Sequence, residues 1–305
     1  MANIVIFGCR KITIDIIDYI VNNHTEHNIV GVINHDFERD RVYYKKLVSE
    51  KCKKLNIPTI RFDKKISTKV IRDMNPDIIF SLYYRLILSQ EVLDIPSLGC
   101  INVHPGYLPK DRGPAPSLWN ILNGDKFAGI TAHYMTKEID AGDIIDQERI
   151  CIDGMTGFEL NKKLMGIGTN LIVKNFESII NGTAKRTPQN HNNATYTLNF
   201  AKHLRYLHWD DPNRIVNQLR AFAAPFDGAL AYSKNGKIAV FGGKILPNRN
   251  SFSAPGFYAI SDSGITVQTC TLPILITDYS MVGGFLKPKG RFLSGPPLAE
   301  GEYEV

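Results

Sequence analysis

The sequence lacks the features that mark membrane-spanning, disulfide-bonded and metal-binding proteins. No apolar run approaches the roughly 20 residues of a membrane helix, and residues 1–8 resemble a strand rather than a signal peptide. The five cysteines are scattered without a CxxC pair, which predicts reduced thiols. The eight histidines show no metal-binding spacing such as HExxH. We therefore expect a cytoplasmic protein without a metal or membrane contact.

Long basic runs are also absent. The net charge of +6 comes from 36 basic and 30 acidic residues. This excess suits an anionic partner, but it is too mild to choose between a nucleotide and a nucleic acid. Hydrophobic residues make up 44% and charged residues 22% of the 305, which is typical of one large or two smaller globular domains.

The opening of the chain lacks a dinucleotide fingerprint. Residues 3–8 and 29–34 are short apolar runs that predict buried strands, and residues 12–21 have the apolar spacing of a helix. The first turn, residues 8–11, contains no GxGxxG, so a nicotinamide or flavin role is disfavoured. The sequence therefore predicts a Rossmann-like scaffold without a dinucleotide.

Strands and helices alternate through about the first 180 residues, which predicts an α/β domain with a mostly parallel sheet. The polar segment 189–193 is the best candidate for an unstructured linker. After a helix at 211–222, short strands separated by Gly, Pro and Asn predict a small antiparallel barrel or sandwich, of which we expect the OB-like β-barrel. We expect a Rossmann-like catalytic domain at 1–200 and a barrel-like domain at 201–305.

The most informative stretch runs from residue 98 to residue 145. Asn102 and His104 lie two apart at the end of an apolar run, so they share a face at a strand tip. Ligands bind at the carboxyl ends of strands in open α/β sheets. Asp140 occupies a second tight acidic turn. An amide, an imidazole and a carboxylate can supply an oxyanion donor, a general base and its orienting partner.

Three motifs in this stretch, at residues 102–104, 108–116 and 139–143, together resemble the signature of the formyltetrahydrofolate-dependent formyltransferases. Residues 220–229 are similar to the start of the C-terminal barrel of that family. The resemblance implies 10-formyltetrahydrofolate as co-substrate, with His104 as base, Asp140 beside it and Asn102 as a donor.

The resemblance also implies folate contacts. The residues expected near the folate are Tyr84, Arg85, Arg112, Gly113 and Asp143. Arg112 could equally anchor its loop, and Asp143 could cap its turn.

Three features favour one class of acceptor. Tyr107 in the segment 104–107, and His133 with Tyr134 in 131–135, resemble the nucleotide-sugar enzymes, so these three residues are expected to contact the acceptor. The segment 35–41 is short and charge-balanced, unlike the insertion of the tRNA enzymes. We therefore expect transfer to a 4-amino sugar linked to UDP, dTDP or GDP, for cell-surface polysaccharide or lipopolysaccharide, with no nucleic acid. The resemblance is nearest to the UDP-4-amino-4-deoxy-L-arabinose type.

Other functions stay open at this stage. The main alternative acceptor is methionyl-tRNA, since a C-terminal barrel also suits RNA binding. A non-enzymatic folate- or nucleotide-binding module is disfavoured by the complete set of Asn102, His104 and Asp140. Hydrolysis that releases formate is disfavoured by the flanking residues. Many relatives dimerise, which leaves a homodimer open.

Overall fold

The computed structural model describes residues 1–35, 43–62, 66–199, 202–247, 254–287 and 289–294. The chain divides into two compact units. The first comprises Met1–Pro116, Ala128–Ile150 and Lys162–Thr197, and the second takes the remaining segments. Residues 200 and 201, the predicted domain boundary, lie outside the described residues. The division at that boundary stays a proposal, because the second unit also includes two earlier segments of the chain.

The first unit is built on a seven-stranded sheet. Its strands are β1 (Asn3–Gly8), β2 (Asn28–Asn34), β3 (Thr59–Arg61), β4 (Ile78–Leu82), β5 (Cys100–His104), β6 (Phe127–Tyr134) and β7 (Ile144–Cys151). Their order is β3-β2-β1-β4-β5-β6-β7. The pairs from β3 across to β5 are parallel, and β6 is antiparallel to β5. The predicted mostly parallel α/β sheet is confirmed.

The helices predicted at 12–21 and 211–222 are both present. The α-helices of the described residues are α1 (Lys11–Asn23), α2 (Tyr43–Lys54), α3 (Thr68–Asp73), α4 (Gln90–Leu93), α5 (Pro116–Leu122), α6 (Gly157–Ile180) and α7 (Pro212–Phe222). In α1 the fully buried side chains include Ile12, Ile16 and Ile20, which share one face because they are four apart. Ser67 caps α3, since its Oγ accepts a hydrogen bond from the N–H of Val70 at 3.4 Å.

The strand order explains where a site can form. β1 lies between β2 and β4, so the direction in which the chain adds strands changes between β1 and β4. Such a switch leaves a crevice at the carboxyl ends of the strands. β5 is the neighbour of β4 and ends at His104. Asn102 on β5 lies opposite His133 on β6, which puts the two side chains on one face.

The second unit contains a closed six-stranded barrel. Its strands are β8 (Ala229–Ser233), β9 (Gly236–Ile245), β10 (Phe257–Ser261), β11 (Gly264–Val267), β12 (Ile274–Gly284) and β13 (Lys289–Leu293). The order is β10-β11-β12-β9-β8-β13, with antiparallel pairing, so the predicted barrel is confirmed. Trp209 stacks on Phe292 in its core, with ring centroids 5.3 Å apart. Among the described helices of the whole chain, none is long and apolar enough to cross a membrane.

Candidate active site

The imidazole of His104 is buried at the end of β5 and contacts an acceptor on each side. Its Nε2 lies 2.7 Å from the main-chain oxygen of Asp111. Its Nδ1 lies 3.4 Å from Oδ2 of Asp140. A carbonyl oxygen can only accept, so Nε2 carries the proton of the neutral ring. The lone pair is therefore on Nδ1, the atom that faces the carboxylate.

Asn102 and His133 lie on the other side of that carboxylate. Nδ1 of His133 is 2.8 Å from the carbonyl oxygen of Tyr134 and so carries the proton of the neutral ring, which makes Nε2 an acceptor. The amide nitrogen of Asn102 is 3.2 Å from that Nε2 and 3.3 Å from Oδ1 of Asp140. The two amide hydrogens of Asn102 are therefore donated to His133 and Asp140. The side-chain oxygen of Asn102 takes part in neither of these two hydrogen bonds.

Asp140 sits in a strained turn that aims its carboxylate at these groups. Its φ is +51°, a left-handed conformation that Asp tolerates better than most residues. The main-chain N–H of Gly113 donates to Oδ2 at 2.9 Å. The carboxylate thus accepts hydrogen bonds from β5 and from the loop after β5.

His104 and Asp140 differ in how their surroundings shift their pKa values. Burial lowers the pKa of His104 below its usual value, although Asp140 and the carbonyl of Asp111 act in the opposite direction. Burial alone would raise the pKa of Asp140, but His104, His133 and the N–H of Gly113 outweigh it and hold this pKa at about 2. The arrangement keeps a neutral imidazole beside an ionised carboxylate near neutral pH, as general base catalysis requires.

Arg112 is a buried anchor of the loop after β5. The residue is 2% exposed. Its guanidinium donates to Oε1 of Gln189 from Nε at 3.2 Å and from Nη2 at 2.7 Å, and it also contacts Tyr196 and His191. Of its two predicted roles, this geometry favours the loop anchor over a folate contact.

The predicted unstructured linker at 189–193 is wrong. Gln189 is 6% exposed, and residues 191–193 form a turn of 3₁₀ helix. The segment is polar because the side chain of Gln189 bonds to Arg112 and to the Asp140 turn, and the side chain of His191 contacts Arg112. Periodicity could not reveal this, since these contacts join residues distant in sequence.

The other predicted site residues are placed as follows. Tyr84 is half-buried and packs edge-on against Phe7 and His35, and Arg85 is exposed in the loop after β4. The main-chain oxygen of Asp143 accepts from the N–H of Tyr134 at 2.9 Å.

The two predicted acceptor-contacting tyrosines lie apart from each other. Tyr107 is 37% exposed in the loop after β5. The Tyr134 ring is buried under the guanidinium of Arg186, at 3.6 Å. It points to the opposite face of β6 from His133, so the structure does not bring it to the site.

Among the described residues, a cluster apart from this site has donor atoms close enough to hold a metal. Donor atoms of His24, Glu26 and His27 lie within 4.8 Å of one another. However, Nδ1 of His27 accepts a hydrogen bond from the N–H of Ala2 at 3.1 Å, which leaves the proton on Nε2, 3.3 Å from Glu26. A ligating nitrogen must present a lone pair, so the cluster is better described as a hydrogen-bonded network.

The comparisons with known proteins agree with this geometry. A family model described as formyl transferase matches residues 2–175, and one described as formyl transferase, C-terminal domain, matches residues 199–286. The chain therefore belongs to the formyl transferase family. The predicted enzyme class, a folate-dependent formyltransferase, is confirmed.

The chain is also similar to individual proteins of known name. The methionyl-tRNA formyltransferase of Agathobacter rectalis is 32% identical over 234 residues, 76% of each chain. The methionyl-tRNA formyltransferase of Clostridioides difficile is 30% identical over 307 residues, 98% of each chain. The solved structure of an N-formyltransferase from Helicobacter canadensis, in complex with folinic acid and dTDP-3-aminofucose, matches with a TM-score of 0.71 at 23% identity. It covers 91% of this chain and 99% of that one.

The predicted nucleotide-sugar acceptor, with its polysaccharide role, is contradicted. The two relatives named above, which cover 76% and 98% of the chain, are methionyl-tRNA formyltransferases, whereas the sugar enzyme is similar in fold at lower identity. The cue at 131–135 misled because His133 supports Asn102 from within the sheet and Tyr134 packs under Arg186. The positions of these two side chains therefore do not indicate which acceptor the enzyme uses. The third cue, residues 35–41, falls almost wholly outside the described residues.

Proposed function

We propose that this protein transfers a formyl group from 10-formyltetrahydrofolate to the α-amino group of methionyl-tRNA. The observation that carries the proposal is the similarity to the Clostridioides difficile enzyme, which extends over 98% of both chains and so includes the barrel. In this proposal the acceptor that the protein binds is an RNA rather than the nucleotide sugar expected from the sequence.

A basic cleft on the barrel supports an RNA acceptor. The cleft has a volume of about 650 Å³, and its described lining includes Lys234, Lys287, Lys289 and Arg291 but no carboxylate. All four cations are exposed. Cations arranged in this way neutralise backbone phosphates, which is the sequence-independent part of nucleic-acid binding.

The donor supplies the formyl carbon and leaves as tetrahydrofolate. The loop after β4 fits an apolar and aromatic ligand face, since Tyr84 is half-buried there and Ile87 is 75% exposed. This loop follows the strand next to β5, which carries Asn102 and His104. Acyl transfer to an amine needs a base and a charge-stabilising group, and the residues at the end of β5 have that chemistry.

His104 is the general base in this proposal. The lone pair on Nδ1 and the carboxylate of Asp140 form two acceptors 3.4 Å apart. An incoming amine offers several N–H donors and can bridge both. His104 takes the proton that the amine loses as its nitrogen bonds to the formyl carbon, and returns it to the nitrogen that leaves. A positioned base of this kind contributes about 10²–10⁴ in rate.

Asp140 and Asn102 support that proton transfer. The carboxylate, held ionised with a pKa of about 2, stabilises the imidazolium that forms at His104. One amide hydrogen of Asn102 holds Oδ1 of this carboxylate. Protonated Nδ1 then provides a charged donor for the developing oxyanion, the type of interaction that contributes most to acyl transfer.

Side-by-side kinetics test the acceptor. The values of kcat/KM are measured with 10-formyltetrahydrofolate and either methionyl-tRNA or UDP-, dTDP- and GDP-linked 4-amino sugars. We expect turnover on methionyl-tRNA and none on the sugars, with deacylated tRNA as the control without an amine. Turnover on a sugar without turnover on methionyl-tRNA refutes the proposed acceptor.

A further inference from the structure

We infer that Gln189 is a positioning residue that fixes the Asp140 turn to the loop after β5 and so sets the catalytic geometry. The inference rests on formyl transfer by His104 and Asp140, but not on the identity of the acceptor.

Gln189 satisfies the main chain of the strained Asp140 turn. Its Nε2 donates to the carbonyl oxygen of Asp140 at 2.9 Å and to that of Gly142 at 2.7 Å. Asp140 has a φ of +51°, a strained conformation that persists when surrounding contacts hold it. Two donors from one amide are such contacts.

The other end of the same amide holds the loop. Oε1 of Gln189 accepts from both Nε and Nη2 of Arg112. Arginine can only donate and carbonyls can only accept, so the orientation of the Gln189 amide is fixed by its partners. All four hydrogen-bonding positions of the Gln189 side chain are used, and they connect two loops that are remote in sequence.

The neighbours of Arg112 are the residues that touch the catalytic groups. The main-chain oxygen of Asp111 accepts from Nε2 of His104, and the main-chain N–H of Gly113 donates to Asp140. A shift of Arg112 relative to the turn therefore disturbs both contacts together. A misplacement of about 1 Å can lower a catalytic rate by roughly 10²-fold.

Two substitutions separate the two ends of the amide. Gln189→Glu keeps the acceptor for Arg112 but turns a carboxylate toward the carbonyls of Asp140 and Gly142. Gln189→Met has a similar length and makes neither set of bonds. Gln147→Met is the matched control, because Gln147 donates to the carbonyl of Leu108 in the same loop at 3.0 Å.

The test combines turnover with the state of His104. We expect both Gln189 variants to lower kcat, per folded enzyme, by about 10²-fold while KM changes by less than about threefold. Nitrogen NMR of the His104 ring should show the Nε2–H tautomer in the wild type and in Gln147→Met, and a mixture in the Gln189 variants. If Gln189→Met does not fold, the kcat and the His104 tautomer of Gln189→Glu test the inference.

Three results overturn the inference. They are kcat within twofold of wild type in the folded variants, an equal loss in Gln147→Met, or an unchanged His104 tautomer. The ring is observed without acceptor. A wild type that fails on methionyl-tRNA therefore refutes the proposed function while the tautomer still tests the role of Gln189.

Discussion

Nε2 of His104 donates a hydrogen bond to the main-chain oxygen of Asp111 at 2.7 Å. This contact determines which ring nitrogen is basic, because it leaves the lone pair on Nδ1, beside Asp140. The orienting partner of the base is thus a peptide carbonyl, and the carboxylate lies at the nitrogen where the proton is taken up.

The lowered pKa of His104 predicts the pH dependence of turnover. A base must be neutral to work, so activity is lost as the pH falls through its pKa. Because burial lowers that pKa below the usual 6.5, the acid limb of single-turnover rates should lie below pH 6.5. Rates are measured with both substrates saturating, which separates this limb from the titration of the free amine. An acid limb above pH 6.5 contradicts the assignment.

Replacing the carboxylate should move that limb in a defined direction. Asp140 raises the pKa of His104, so Asp140→Asn should shift the acid limb to lower pH while it decreases the rate by about 10²–10⁴. Asp153→Asn, at an exposed position, is the control and should change neither. A shift to higher pH in Asp140→Asn is inconsistent with the observed charge arrangement.

Removal of the base should abolish most of the activity and leave the fold intact. His104→Ala and Asp140→Ala are each expected to lower kcat by about 10²–10⁴. The first variant lacks the base that removes the amine proton, and the second lacks the carboxylate that stabilises the resulting imidazolium. Circular dichroism and urea midpoints establish that the variants are folded. Turnover near the wild-type value in either folded variant removes the proposed mechanism.

The backbone conformation at Gly113 predicts that adding even a methyl side chain there lowers the stability of the protein. Its φ is +97°, and an added Cβ would lie 2.9 Å from the main-chain oxygen of Thr197. Gly113→Ala should therefore lower the free energy of unfolding by about 1–3 kcal/mol. Gly166→Ala is the matched control: it has open space within 4 Å in α6, and should raise stability by about 0.5–1 kcal/mol. Urea denaturation measures both, and equal effects would contradict the strain at Gly113.

The sequence predicted elements better than contacts between them. The strands that carry Asn102 and His133 follow from their apolar runs, and the Asp140 turn from its acidic residues and Gly142. The carbonyl of Asp111 left no signal, because a main-chain group is the same for every residue type. The role of Gln189 was hidden because its polar neighbours are typical of a linker, and its partners lie 77 and about 50 residues away.

Local periodicity also does not account for the whole barrel. The strand β12 begins with the apolar residues Ile274–Ile276 but continues through exposed positions to Gly284. Its length comes from pairing with β9, a contact that local periodicity does not encode. The acceptor was mispredicted for a related reason, since two of the residues that suggested a sugar, His133 and Tyr134, are buried in the fold.

The basic cleft of the barrel predicts a salt-dependent acceptor affinity. Lys287→Ala with Lys289→Ala should raise KM for methionyl-tRNA and reduce the salt slope of log Kd by about 1–2, with little change in kcat. The control pair is Lys53→Ala with Lys54→Ala, two exposed lysines at the end of α2. An unchanged salt slope in the cleft variant, or the same change in the control, contradicts RNA binding at the cleft.

The central claim is most directly tested by following a ¹³C-labelled formyl group from 10-formyltetrahydrofolate. Methionyl-tRNA is incubated with wild-type protein or with His104→Ala, the ester is hydrolysed, and the released amino acid is identified by mass spectrometry. The proposal predicts labelled N-formylmethionine with the wild type and about 10²–10⁴ less with the variant. Free labelled formate with unmodified methionine would contradict it, because that result describes a hydrolase rather than a transferase.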